Sequence, residues 1–94
     1  MRKVTKETVG AFMRHERRTV GNTHTDGEKL YLHGNMIACH TPEGIVVTLA
    51  GWPTVTTRER LNGIPGVSLT QRAGVQYLNG TPLARNEFRT IPSN

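Results

Sequence analysis

Three short runs of apolar and β-branched residues, Leu30 to Leu32, Met36 to Ala38 and Ile45 to Leu49, follow one another with turn formers between them. The breaks are Gly34-Asn35 and Thr41-Pro42-Glu43-Gly44. Runs this short are strand-sized, and their content suits a pleated, half-buried surface, so the centre of the chain is predicted to fold as a three-stranded antiparallel meander. Gly51-Trp52-Pro53 ends it, because Pro53 has no amide proton for a ladder and holds Trp52 extended. Thr56-Thr57-Arg58-Glu59 then has the spacing of a capping box, with the Thr56 hydroxyl toward the Glu59 amide and the Glu59 carboxylate toward the Thr56 amide. This predicts a short helix over Thr57 to Asn62, closed by Gly63 in the left-handed conformation and by Pro65. Leu61 and Ile64 fall on the face that docks on the sheet.

The flanks extend this plan. Val4 to about Glu16 reads as a helix with Thr5 as N-cap, Val4 and Val9 as a hydrophobic staple, and Val9, Phe12 and Met13 on one face. Gly10 weakens it by about 0.5–1 kcal/mol relative to Ala. Thr19 to Gly27 suits an edge strand, with Asp26-Gly27 turning into the meander. Val67 to Gln71 and Val75 to Leu78 form a second hairpin about Ala73-Gly74, with Val67, Leu69, Val75 and Tyr77 as its expected buried side. Asn79-Gly80 is a further turn, and Thr81-Pro82-Leu83 leads into a polar tail that Phe88 would anchor and whose last residues are expected to be mobile. The expectation is a single α+β domain over residues 1–94, with a basic N-terminal helix or arm (1–18), a β-rich core with the short helix (19–83) and a polar tail (84–94). Its antiparallel sheet has four to six short strands.

A chain of 94 residues buries about 60–65% of the surface its unfolded form exposes, so the core is thin. With one Trp, two Tyr and two Phe, each buried ring matters. Loss of Trp52 would cost ~3–5 kcal/mol if it is fully packed. Dimerisation would cover leftover apolar surface. The single Cys39 forms no intramolecular disulfide and fits a reducing compartment. No apolar run reaches the roughly 18–20 residues of a membrane span, and no signal-peptide core follows the basic start, so a soluble, unprocessed chain with no membrane partner is expected. The net charge of +5 is uneven, since Arg2, Lys3, Lys6, Arg14, Arg17 and Arg18 face only Glu7 and Glu16 in the first eighteen residues.

Two stretches, LYLHGNMIA and AGWPTVTTRERLNGIPGV, resemble a group of short proteins encoded in tailed-bacteriophage genomes, most without an assigned activity. The resemblance runs from roughly Gly21 to Gly80, leaves the N-terminal arm outside, and is most specific at Gly51 to Asn62. It implies a phage origin and action in the host bacterial cytoplasm, and it carries over no catalytic residue.

The residues themselves point to binding. Lys6, Arg14, Arg17, Arg18, Arg58, Arg60 and Arg72 could neutralise phosphates, each releasing counterions, and Tyr31 or Tyr77 could stack a base if exposed. Solvated charges and core tyrosines are the plainer account of the same residues. Nucleic acid or a nucleoprotein is the leading partner. The alternative is a host enzyme or defence protein inhibited by direct contact, because a positive patch reports only the sign of its partner. The segment Thr54 to Arg60 could hold an anion at a helix start, although simple capping explains it better. His15, His24, His33, His40 and Cys39 show no metal-ligand spacing, and Cys39 and His40, as strand neighbours, point to opposite faces. Cys39 as a nucleophile, or His33 and Glu59 as an acid-base pair, has no geometry fixed by the sequence, so neither catalytic residue nor cofactor is assigned.

Overall fold

The computed structural model describes residues 2–92 of the chain. Helix α1 (Lys3–Met13) is followed by the strands β1 (Arg18–Val20), β2 (Thr23–Thr25), β3 (Lys29–Leu32), β4 (Asn35–Thr41) and β5 (Gly44–Thr48). Helix α2 (Val55–Leu61) comes next, then β6 (Leu69–Arg72), β7 (Val75–Leu78), β8 (Thr81–Pro82) and β9 (Phe88–Pro92). The fold is α+β, as expected, with one antiparallel sheet of six strands in the order β1-β2-β3-β4-β5-β9 and a second of three, β6-β7-β8. The meander is strands β3 to β5. Thr19 to Gly27 is not one edge strand: Gly21 (φ 58) turns it back on itself into the β1–β2 hairpin.

Turns fix the registers. The β3–β4 turn is His33-Gly34, one residue before the expected Gly34-Asn35, and both residues have positive φ (51° and 80°), the geometry that matches the twist of paired strands. Ala73-Gly74 turns β6 into β7 in the same way, pairing Arg72 with Val75, Gln71 with Gln76 and Leu69 with Leu78. Side chains alternate across a strand, so Leu69 shares its face with Gln76 and Leu78, which are buried. Val75 and Tyr77 take the other side, Val75 exposed and Tyr77 half-buried, contrary to the expectation that both line the core.

The core lies between one face of the large sheet and the layer made by the helices and the small sheet. Val9 and Phe12 of α1, Leu61 and Ile64 around α2, and Leu69, Leu78 and Leu83 of the second sheet meet Leu30, Leu32, Ile37, Ala38, Val47 and Leu49 there. The N-terminal helix is therefore docked. It begins at Lys3 with no side-chain cap, and Thr5, expected as its N-cap, is fully buried one turn inside. It ends at Met13 rather than near Glu16, because His15 is left-handed (φ 58). The tail adds strand β9 to the edge of β5, held by backbone pairing and half-buried Ile91; Phe88 is 61% exposed and anchors nothing by burial. The expected mobility of the last residues falls on Ser93 and Asn94, outside the described residues.

Candidate functional site

Helix α2 is the element that positions the side chains of interest. Thr54 is extended (φ −95°, ψ 164°), and its hydroxyl accepts the Thr57 amide at 3.2 Å, so Thr54 caps the helix two residues before the expected Thr56. The capping box of Thr56 and Glu59 does not form. Glu59 reaches away to α1, where one carboxylate oxygen accepts from the Thr5 hydroxyl and from Arg60 and the other from the Arg2 amide at 3.3 Å. Burial works against its charge, but the Thr5 hydroxyl, the Arg2 amide and the Arg60 guanidinium outweigh it and hold the carboxyl below its ordinary range.

Arg60, grouped with the surface cations on sequence, is 2% exposed. Its Nε donates to the Thr23 hydroxyl at 2.8 Å, Nη1 to the Thr5 hydroxyl at 2.9 Å and to Glu59, and Nη2 to the Asn22 side chain at 3.4 Å. The guanidinium fork thus ties α1, α2 and the β1–β2 hairpin together. Gly63 closes the same junction. It is not left-handed; a Cβ there would lie 2.7 Å from the Thr5 methyl and 3.2 Å from the Arg60 carbonyl.

The other six cations of the set lie at or near the surface. Arg14 pairs with Glu16 at 3.0 Å and Arg18 with Glu7, both at exposed positions. Lys6 and Arg17 are exposed with no carboxylate within 4 Å among the described residues. Arg58 is half-buried and donates to the Pro53 carbonyl at 3.2 Å and the Gln76 side chain at 3.0 Å. Arg72 lies 5.6 Å above the half-buried Tyr77 ring. The cations sit on α1 and its exit, on α2 and on the β6–β7 hairpin. On the sheet face opposite the core, His24 lies against Tyr31 with ring centres 5.9 Å apart.

A cleft opens between the β3–β4 turn and the start of α2, with a volume of about 410 Å³. Leu32, Ile37 and Leu49 form its floor; His33, Asn35, Trp52 and Thr56 stand around it. Trp52, whose loss would be costly only if it were fully packed, is 61% exposed. The cause is local: Ala50 (φ 54) and Gly51 (φ 80) are both left-handed, and the chain swings the indole outward as it leaves β5. Gly-Trp-Pro marks this exit in the sequence, but a left-handed alanine has no signature there.

The histidines go separate ways. His40 stacks between Phe12 and His15, with ring centres 4.2 and 4.0 Å away, and its Nε2 is 2.7 Å from the Phe12 carbonyl. His24 meets the Thr19 hydroxyl at 2.6 Å, and His33 borders the cleft. Cys39 is half-buried on the opposite face from His40, its thiol donating to the His40 carbonyl at 3.4 Å. Among the described residues no three His, Cys, Asp or Glu side chains gather as a metal site. No helix among them is long and apolar enough to cross a membrane.

No curated protein and no solved structure matches the chain. A profile of a bacteriophage family, described as Kyanoviridae Gp96 protein, matches residues 1–92, so the match takes in α1, which the phage resemblance in the sequence left outside. Covering the chain from the first helix to the last strand, it shows that this protein belongs to the Kyanoviridae Gp96 family.

Proposed function

We propose that this phage protein acts by stoichiometric binding, without catalysis, and engages nucleic acid or a nucleoprotein in the host cytoplasm through its cationic surface. One observation carries the reading. Of the seven carboxylates, Glu7, Glu16, Glu59 and Glu87 are each spent on an arginine of the chain, while Lys6, Arg17, Arg58 and Arg72 have no carboxylate partner among the described residues. The surplus of +5 is therefore available to an anionic partner. Binding of this kind weakens with salt, because each phosphate that is neutralised releases counterions.

The test is affinity for labelled random single-stranded DNA, RNA and duplex DNA over a salt series. Replacing Lys6 and Arg17 by Ala should lower the slope of log K against log salt by roughly 0.7–0.9 for each cation that meets a phosphate. Replacing the ion-paired Arg14 and Arg18 should change it less. Absence of binding at low salt overturns the proposal.

The alternative is inhibition of a host enzyme or an anti-phage defence complex by direct protein contact. Trp52, Val55 and Phe88, exposed at 61, 68 and 61%, favour it, because exposed large apolar residues, aromatic ones above all, mark protein interfaces. A host protein retained from lysate after nuclease treatment, and lost on replacing Trp52, would select this reading.

A further inference from the structure

The Trp52 cleft has features that a gap in core packing does not. Its floor is core, yet the only Trp of the chain stands at its mouth, in a protein with few rings to spare. The indole is set there by the backbone. Trp52 donates its amide to the Leu49 carbonyl at 2.9 Å and accepts the Thr54 amide at 2.8 Å, across the left-handed pair Ala50-Gly51. A left-handed alanine is disfavoured, so the fold tolerates strain that keeps the ring outside.

The lining holds no Asp, Glu, Lys or Arg. The side chains of His33, Asn35 and Thr56 have no hydrogen-bond partner among the described residues, so donors and acceptors are free around an apolar slot. Two arginines are tied to the backbone beside Trp52. The Arg58 guanidinium holds the carbonyl of Pro53, next to Trp52, and exposed Arg85 accepts the Gly51 amide on its own carbonyl at 2.8 Å. A neutral slot with one aromatic wall, a polar edge and arginines outside matches a flat heterocycle carried on a phosphate chain. An aliphatic or phenyl side chain would leave Asn35 and Thr56 unmatched, and a free anion would meet no charge inside.

We infer that this cleft receives one unpaired base of a single-stranded nucleic acid, stacked on Trp52, with the adjoining phosphates on Arg58 and Arg85. The inference rests on the nucleic-acid reading above and adds the strand state and the residue that grips it. Duplex cannot use the slot, because its bases already stack on each other.

Trp52 is the sole Trp, so indole emission reports on the slot alone. The full chain is titrated with an eight-residue oligothymidylate, a duplex of the same length, the free nucleosides thymidine and adenosine, and N-acetylphenylalanine amide. The expected result is quenching by the oligothymidylate and, at higher concentration, by nucleosides, with none by duplex. Trp52→Ala should weaken single-strand binding roughly 5- to 150-fold, the range of one base–aromatic stack, while keeping the salt slope. Asn35→Ala, which leaves the indole in place, should weaken nucleoside quenching.

Single-strand binding with unchanged emission and unchanged affinity in Trp52→Ala overturns the inference and leaves the cationic-surface reading standing. Quenching by the phenylalanine amide but not by nucleosides also overturns it, in favour of a protein side chain. If nothing binds at low salt and the emission never moves, both fall.

Discussion

The two sides of α2 are built on opposite terms. Toward α1, Glu59 and Arg60 are charged, the first half-buried and the second buried, and hydrogen-bonded to Thr5, Thr23, Asn22 and the Arg2 amide. Toward the β3–β4 turn the lining is uncharged and open, with an indole in water and polar groups unmatched. The sealed side uses charge to fix where three elements meet, and the open side leaves apolar area unused by folding. Substitutions on the first should change stability, and substitutions on the second should change binding.

The largest expected effect is at Arg60. Arg60→Ala leaves Glu59 part-buried without its cation and should cost about 3–5 kcal/mol, a large share of the 5–15 kcal/mol that holds a small domain. Arg60→Lys should recover little, because one ammonium cannot replace the fork that reaches Thr23, Thr5 and Asn22 together. Urea unfolding measures both. A loss under about 1 kcal/mol would mean the sealed side is held by packing alone and would erase the contrast.

Glu59→Gln comes next, at roughly 1.5–3 kcal/mol near neutral pH, the range for a hydrogen bond to a charged group, since the amide oxygen still accepts from Arg60. The pH dependence gives the sharper reading. A carboxyl held below its ordinary value contributes stability that is complete above the unfolded pKa of about 4.3 and is lost as pH falls through the folded one. The gap between the parent protein and Glu59→Gln should thus be constant above about pH 5 and close on acidification. Some acid sensitivity should remain in the variant. Asp26 is also lowered, by the Lys29 and Glu28 amides, and Glu87 by the Ala84 amide and then Arg89. A gap that stays constant down to pH 2 would show that the charge of Glu59 is not what Arg60 needs.

Gly63→Ala tests the same junction by shape. The added Cβ would meet the Thr5 methyl at 2.7 Å, and the α1–α2 spacing would have to open, at about 1–3 kcal/mol. Unchanged thermal unfolding would show that the helices slide apart freely.

What the sequence made legible follows from the range of the interaction involved. Ala73-Gly74 and Asn79-Gly80 are local signals, and both turns form where they stand. The core face of the second hairpin also follows from its turn: a two-residue loop at Ala73-Gly74 forces Leu69 opposite Leu78, so Val75 could not share the face of Leu69. Glu59 shows the limit. Its spacing from Thr56 satisfies a capping box, but Thr5, fifty-four residues away, offers the same carboxylate a better-buried partner, and no local pattern records that competition. Arg60 and Arg58, two residues apart on one short helix, look alike as charges, and only the packing of α1 makes one of them structural. Lys6, Arg14, Arg17, Arg18 and Arg72 were legible as exposed cations, whereas the cleft was not, because it forms where the β3–β4 turn meets α2 across the sheet.

The smallest stability effect belongs to Trp52, for which full packing would have meant one of the largest. Truncating a packed Trp costs ~3–5 kcal/mol because buried area is returned to water and a cavity remains. At 61% exposure little area returns and no cavity forms, so Trp52→Ala should unfold within about 0.5 kcal/mol of the parent. Nor should the turn collapse: the hydrogen bonds that shape it, from the Trp52 amide to Leu49 and from the Thr54 amide to Trp52, belong to the backbone and survive truncation. Urea midpoints of the two proteins, read by circular dichroism because the variant has no indole to follow, decide the matter. A loss of 2 kcal/mol or more would place the indole against the fold in solution, and the open side of α2 would then be a second packing surface. Equal midpoints would leave the ring with no part in folding, as the binding role proposed for it requires.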